Sequence, residues 1–170
     1  MNTRLGISLG VLCCAAAMLG ASQLSAQMPP AISVSGESIV ATYHGEGAQI
    51  YECRHDQSSK LFWMMREPIA TLLLDGKTVG FHAAGPLWQH IDGSAVRAKM
   101  VSAAPGATFS DIPWLKLEVT DHHGEGVMSR VATIQRINTK GGAMQGSCEK
   151  AGAYRSIPYS ADFVFLRKRG

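Results

Sequence analysis

Apolar and polar residues alternate along much of this chain. The clearest run is Leu115-Lys116-Leu117-Glu118-Val119-Thr120. Leu115, Leu117 and Val119 fall on one side of it; Lys116, Glu118 and Thr120 fall on the other. A period of two is the pattern of a half-buried strand. Strand-like runs also occupy residues 48–54, 60–65, 69–74, 78–82, 95–101, 127–137 and 161–166. Turn signals separate them, among them His44-Gly45-Glu46-Gly47, Asp75-Gly76, Ala84-Gly85-Pro86, Asp92-Gly93 and Gly141-Gly142. Asp75-Gly76 predicts a tight hairpin, because both residues tolerate positive φ and both flanks are strand-like. Asp92-Gly93 predicts a second. No window carries a sustained helical repeat with caps. The expectation is therefore an all-β chain, a single antiparallel β-sandwich or barrel-like domain.

The first segment has a different character. Met1-Asn2-Thr3-Arg4 carries one positive charge, Leu5 to Gly20 is apolar and small, and Ala21 to Ala26 is small and polar. That order predicts a secretory signal peptide over residues 1–26. Residues 27–44, rich in Pro and Ser at their start, are expected to form a tether or edge segment. Residues 45–170 then make the β domain. Such a chain is periplasmic or secreted and, after cleavage, not an integral membrane protein.

Composition narrows the function without naming it. The chain has 170 residues, 46% hydrophobic and 17% charged, with a formal charge of +3. The basic residues are scattered, which argues against a nucleic-acid partner. No phosphate loop, dinucleotide fingerprint, His-Glu-x-x-His or Cys-x-x-Cys occurs, and no cofactor is implied. Asp121-His122-His123 with Glu125 is the densest group of metal-ligand types. A polar surface turn explains it better than a metal site, so His122, His123 and Glu125 are weak candidates only. His82 and His90 with Asp92 flank an apolar run, and Gln135-Arg136 is embedded in another. Such polar residues line a cleft or tie loops together. Among the tryptophans, Trp63 and Trp114 are expected in the core, with Trp88 the one to test for ligand contact. Core packing is expected for at least one of Met64 and Met65. The basic end Arg167-Lys168-Arg169 is either simply solvated or a contact for anionic surface polymer or lipid.

Together these residues resemble one family, the secreted domain-of-unknown-function family numbered 3455, found in bacteria and fungi. The resemblance rests on Gly45-x-Gly47-x-Gln49-x-Tyr51-x-Cys53, Val79-Gly80-x-His82-x-Ala84-Gly85-Pro86-x-Trp88, Asp92-Gly93-Ser94 and Ile112-Pro113-Trp114-Leu115. It continues through Ile134-Gln135-Arg136-x-Asn138-Thr139-x-Gly141-Gly142, Cys148 and Pro158-Tyr159-Ser160-Ala161-Asp162-Phe163. It implies export and a single domain, and it transfers no catalytic residue.

Four cysteines remain to be divided. Cys13 and Cys14 fall in the signal peptide. Cys53 and Cys148 are left as an even pair in an oxidising compartment, which predicts one disulfide. The expected function is that of an exported, non-enzymatic binding or cell-envelope protein. Its partner would be a small molecule, a glycan or an envelope component, held near His82, Trp88, Asp92, Gln135 and Arg136. The alternatives are a hydrolase or metal-dependent enzyme using a His/Asp cluster, and an inhibitor of a cell-wall lytic enzyme.

Overall fold

A computed structural model describes residues 28–170, so the expected signal peptide lies outside the described residues. Eight antiparallel strands follow one another around a closed barrel. They are β1 (Glu37–His55), β2 (Leu61–Leu74), β3 (Lys77–Ala83), β4 (Leu87–His90), β5 (Ala95–Ala104), β6 (Trp114–His123), β7 (Thr133–Gly141) and β8 (Tyr154–Lys168). Each strand pairs with the next, and β8 returns to pair with β1 from Glu37↔Lys168 to Glu52↔Tyr154. The all-β expectation holds, and of the two architectures offered the closed barrel is the one formed.

Local chemistry accounts for the hairpins. Asp75 and Gly76 both have positive φ, 50° and 73°, and Leu74 pairs with Lys77. Two positive-φ residues between paired strands make the mirror-image turn whose twist suits a hairpin. At the second predicted hairpin, Gly93 has φ 90° and the Gly93 N–H donates to His90 O at 3.1 Å.

Two sequence expectations need adjustment. β1 begins at Glu37, not at residue 45, so residues 37–44 belong to the barrel wall. Val40, Ala41 and Tyr43 there pack on the core, an apolar phase that the Pro- and Ser-rich start obscured. The run 127–137 is not one strand: Val127–Arg130 forms a single 3-10 turn before β7 starts at Thr133. Asp92 and Ser94 hold that turn by accepting the Val127 and Met128 N–H groups at 2.9 and 3.1 Å. The turn thereby lodges the fully buried Met128 in one end of the barrel.

The interior is aromatic and aliphatic: Tyr43, Leu72, Trp88, Val96, Leu117, Ile134, Phe163 and Phe165 form one cluster. Leu117 is buried and Glu118 exposed, as the alternation in β6 predicts. Trp63 and Trp114, expected in the core, are half-buried near the barrel rim, and it is Trp88 that is fully buried. Met64 and Met65 are both exposed, so neither serves the core. No helix among the described residues is long and apolar enough to cross a membrane.

Residues 28–36 are not free. Pro30–Ile32 forms a 3-10 turn, and Ile32 is fully buried. Ser102 Oγ and Gln135 Nε2 donate to Ala31 O and Ile32 O at 2.6 and 2.7 Å. The segment thus straps the outside of β5, β6 and β7.

Glycine at position 45 is required by packing. A Cβ there would lie 2.5 Å from the Phe163 ring, which itself packs edge-on against His82 and Trp88. Gly45→Ala is expected to lower stability by about 1–3 kcal/mol through overpacking, read from the urea midpoint. An unchanged midpoint would show that Phe163 moves without cost.

The predicted disulfide is present: Cys53, near the end of β1, is joined to Cys148, a separation of 95 residues.

Candidate functional site

The half of the interior nearer the disulfide is polar. His82 on β3 faces Trp88 on β4 as a cross-strand pair, and their rings stack at 4.2 Å. His82 Nδ1 lies 2.9 Å from Leu87 O. A carbonyl can only accept, so Nδ1 carries the proton and Nε2 is the ring's acceptor. Burial, reinforced by the nearby Arg136 charge and opposed by the Leu87 hydrogen bond, lowers the His82 pKa to about 4. The imidazole is therefore neutral at pH 7.

Arg136 on β7 pairs with Phe163 of β8 and Leu115 of β6. Its Nε and Nη2 donate to Pro113 O at 3.2 and 2.9 Å. Burial lowers its pKa to about 10, which leaves it charged at pH 7. Among the described residues no carboxylate pairs with it.

Three further side chains complete the cluster. Tyr51 OH donates to Gly142 O at 2.8 Å and accepts from Met144 N at 3.2 Å. Gln49 and Tyr159 approach each other at Gly142, where an added Cβ would stand 2.8 Å from Tyr159 Cβ and 3.2 Å from Gln49 Cγ. Burial pushes the Tyr159 hydroxyl up to about 12, against the pull of Arg136. Gln49, Trp88 and Tyr159 are only 1%, 1% and 4% exposed. Gln49 Nε2, Trp88 Nε1 and Tyr159 OH have no hydrogen-bond partner within the described protein. The cluster is rich in donors and holds one unpaired positive charge.

The five sequence candidates occupy three places. His82, Trp88 and Arg136 belong to this interior. Asp92 lies in the β4–β5 turn at the opposite end of the barrel. Its Oδ1 accepts from Ser94 Oγ and N at 2.6 and 2.9 Å, and His90 Nδ1 is 3.0 Å from Oδ2. The Ser94 hydroxyl and then the Val127 N–H hold the Asp92 carboxyl well below the usual range. Ser94, Asp92 and His90 do not make a catalytic triad. The hydroxyl donates to the carboxylate rather than to the imidazole, and Ser94 is fully buried. Gln135 points outward and is covered by the strap through Ile32 O.

His122 Nε2 is bonded to Val131 O at 2.8 Å, and His123 and Glu125 are exposed. Among the described residues no group of three or more His, Cys, Asp or Glu is placed to hold a metal ion. Gln49, Tyr51 and Tyr159 were not among the candidates. Gln49 carries a readable signal, because it is polar in phase with the buried Tyr43, Tyr51 and Cys53 of the same strand.

Fold and site together define an eight-stranded up-and-down barrel with a filled aromatic core and a donor-rich polar interior at one end. The chain belongs to the family described as "Protein of unknown function (DUF3455)", which matches it over residues 34–76 and 73–167. No curated protein and no solved structure matched the chain.

Proposed function

We propose that this protein is an exported, non-enzymatic binding barrel whose interior polar cluster holds a small acceptor-rich molecule, a carboxylate or similar oxyanion. One observation carries the reading. Three side-chain donors at least nine-tenths buried, on Gln49, Trp88 and Tyr159, are left without partners in the same half of the interior as Arg136, whose charge has no carboxylate partner and acts on Tyr159, Tyr51 and His82. A buried donor left unsatisfied costs about 1–3 kcal/mol, and a buried charge costs more. An oxyanion would satisfy both, whereas a neutral apolar ligand would satisfy neither. The long-range disulfide and the predicted leader support export. The buried Ser94 and its contact with Asp92 speak against a hydrolase there.

The test is native mass spectrometry of the protein from its own host, followed by thermal unfolding with a panel of small carboxylates, phosphate and sulfate. One member of the panel is expected to stabilise the protein saturably, by about 2.7 kcal/mol at a hundred times its Kd. The gain should vanish in Arg136→Met and survive in Arg54→Gln on the outer surface. No co-purifying species, together with no stabilisation by any member, would reject the proposal.

A further inference from the structure

β7 pairs with β6 only from Leu115 to Glu118. Beyond Glu118 the wall between β6 and the end of β8 is completed by residues 127–132. The Val119 N–H donates to Ala132 O at 2.9 Å, and the Ala132 N–H donates to Leu166 O at 2.7 Å. Outside this seam runs a groove of about 1080 Å³. Its lining carries five cations, Lys116, Arg130, Arg167, Lys168 and Arg169, against the side-chain carboxylates of Glu37 and Glu118 and the terminal carboxylate at Gly170.

Glu118 is paired with a cation, whereas Glu37 has only a hydroxyl partner and its buried Oε2 has no hydrogen-bond partner within the described protein. Glu118 Oε2 lies 3.3 Å from Lys99 Nζ, and Glu37 Oε1 accepts from Thr133 Oγ1 at 3.0 Å. Among the described residues, none of the five cations makes an ion pair. Five cations against three carboxylates leave a local excess of +2 on this one face. A second depression of about 460 Å³ shares Ser129, Arg130 and Arg167 and extends the groove to Ile39 and Val40.

We propose that this trough binds a linear polyanion, a polymer chain carrying repeated phosphate or carboxylate groups. Arginine forms bidentate pairs with either group, and several unpaired cations along a concavity suit a chain with several charges. A planar bilayer would meet the rim of the trough rather than the cations lining it. This surface is on the outside of the barrel and independent of the interior cluster.

The experiment uses the full exported chain with inorganic polyphosphate and polygalacturonate, which separate the phosphate and carboxylate sources, and with vesicles containing an anionic lipid. Binding to at least one polymer is expected. Its affinity should fall roughly 50- to 130-fold between 50 and 200 mM salt if four or five cations are neutralised, at a slope of about −0.7 per charge. Arg130→Gln with Arg167→Gln should weaken it about tenfold or more. The control Arg54→Gln with Lys60→Gln removes the same charge elsewhere and should leave affinity within about twofold. Both double variants alter exposed side chains, and their unfolding midpoints verify the fold. No binding to either polymer, equal weakening by the two variants, or binding to vesicles alone would overturn the proposal.

Discussion

Breaking the Cys53–Cys148 bond is expected to lower the stability by about 4–5 kcal/mol, the largest single effect in this protein. The bond closes a span of 95 residues, and the chain-entropy cost of the unfolded state grows with the logarithm of that span. The folded geometry is held independently on either side. The Cys53 N–H donates to Ala153 O at 2.8 Å, the Gly152 N–H donates to Cys53 O at 2.9 Å, and the Cys148 N–H donates to Leu61 O at 3.2 Å. Little relaxation of the native state should therefore offset the loss. A small domain has only about 5–15 kcal/mol in total, so the reduced protein would stand near its unfolding threshold. Urea unfolding of the native chain, the reduced chain and the Cys53→Ala/Cys148→Ala variant measures the effect. A shift below about 1 kcal/mol would mean that the unfolded chain is already compact without the bond.

Acid is expected to weaken the fold through His82 by about 3 kcal/mol between pH 6.5 and pH 4. The pKa of His82 is depressed to about 4 in the folded state, below the ordinary value of 6.5. Between these values the unfolded chain binds the extra proton and the barrel does not. The contribution is fully present above pH 6.5 and is lost as pH falls towards 4. Desolvation is the main cause: a charged ring would sit between Trp88 and Phe163, near the positive Arg136. Asp92 titrates lower and stays ionised across this window. His82→Phe keeps an aromatic ring against Trp88 and removes the titration. Urea midpoints at pH 7.5, 6.5, 5.5 and 4.5 should therefore fall steeply for the native protein and weakly for the variant. Parallel curves would assign the acid sensitivity to other groups.

The sequence disclosed what is local and withheld what is not. Asp75-Gly76 and Asp92-Gly93 announce hairpins because turn chemistry acts over four residues. The alternation from Leu115 to Thr120 tells the inside of β6 from the outside. Closure of the barrel was not legible, because it depends on β1 meeting β8 across nearly the whole described chain. The same limit scattered the candidate site. Gln135 reads as a polar intruder in an apolar run, yet it faces outward, where the strap buries it. Asp92 caps a distant turn that no periodicity reveals. His82, Trp88 and Arg136 do meet, but their companions Gln49, Tyr51 and Tyr159 come from the strands that close the barrel.

That closing seam also governs the order of events in synthesis. Among the described residues β1 is the first strand made, and β8, one of its two lateral partners, is the last. Until β8 has emerged, one side of a 19-residue strand has bare N–H and C=O groups along almost its full length. Contacts so distant in sequence form slowly, because the intervening chain must be ordered first. The growing chain is therefore committed to a period as an open sheet with two sticky margins, β1 and whichever strand is newest. A chain stopped before β8 would keep that margin and pair it with its neighbours, so a truncated product should be recovered as aggregate rather than as a smaller barrel.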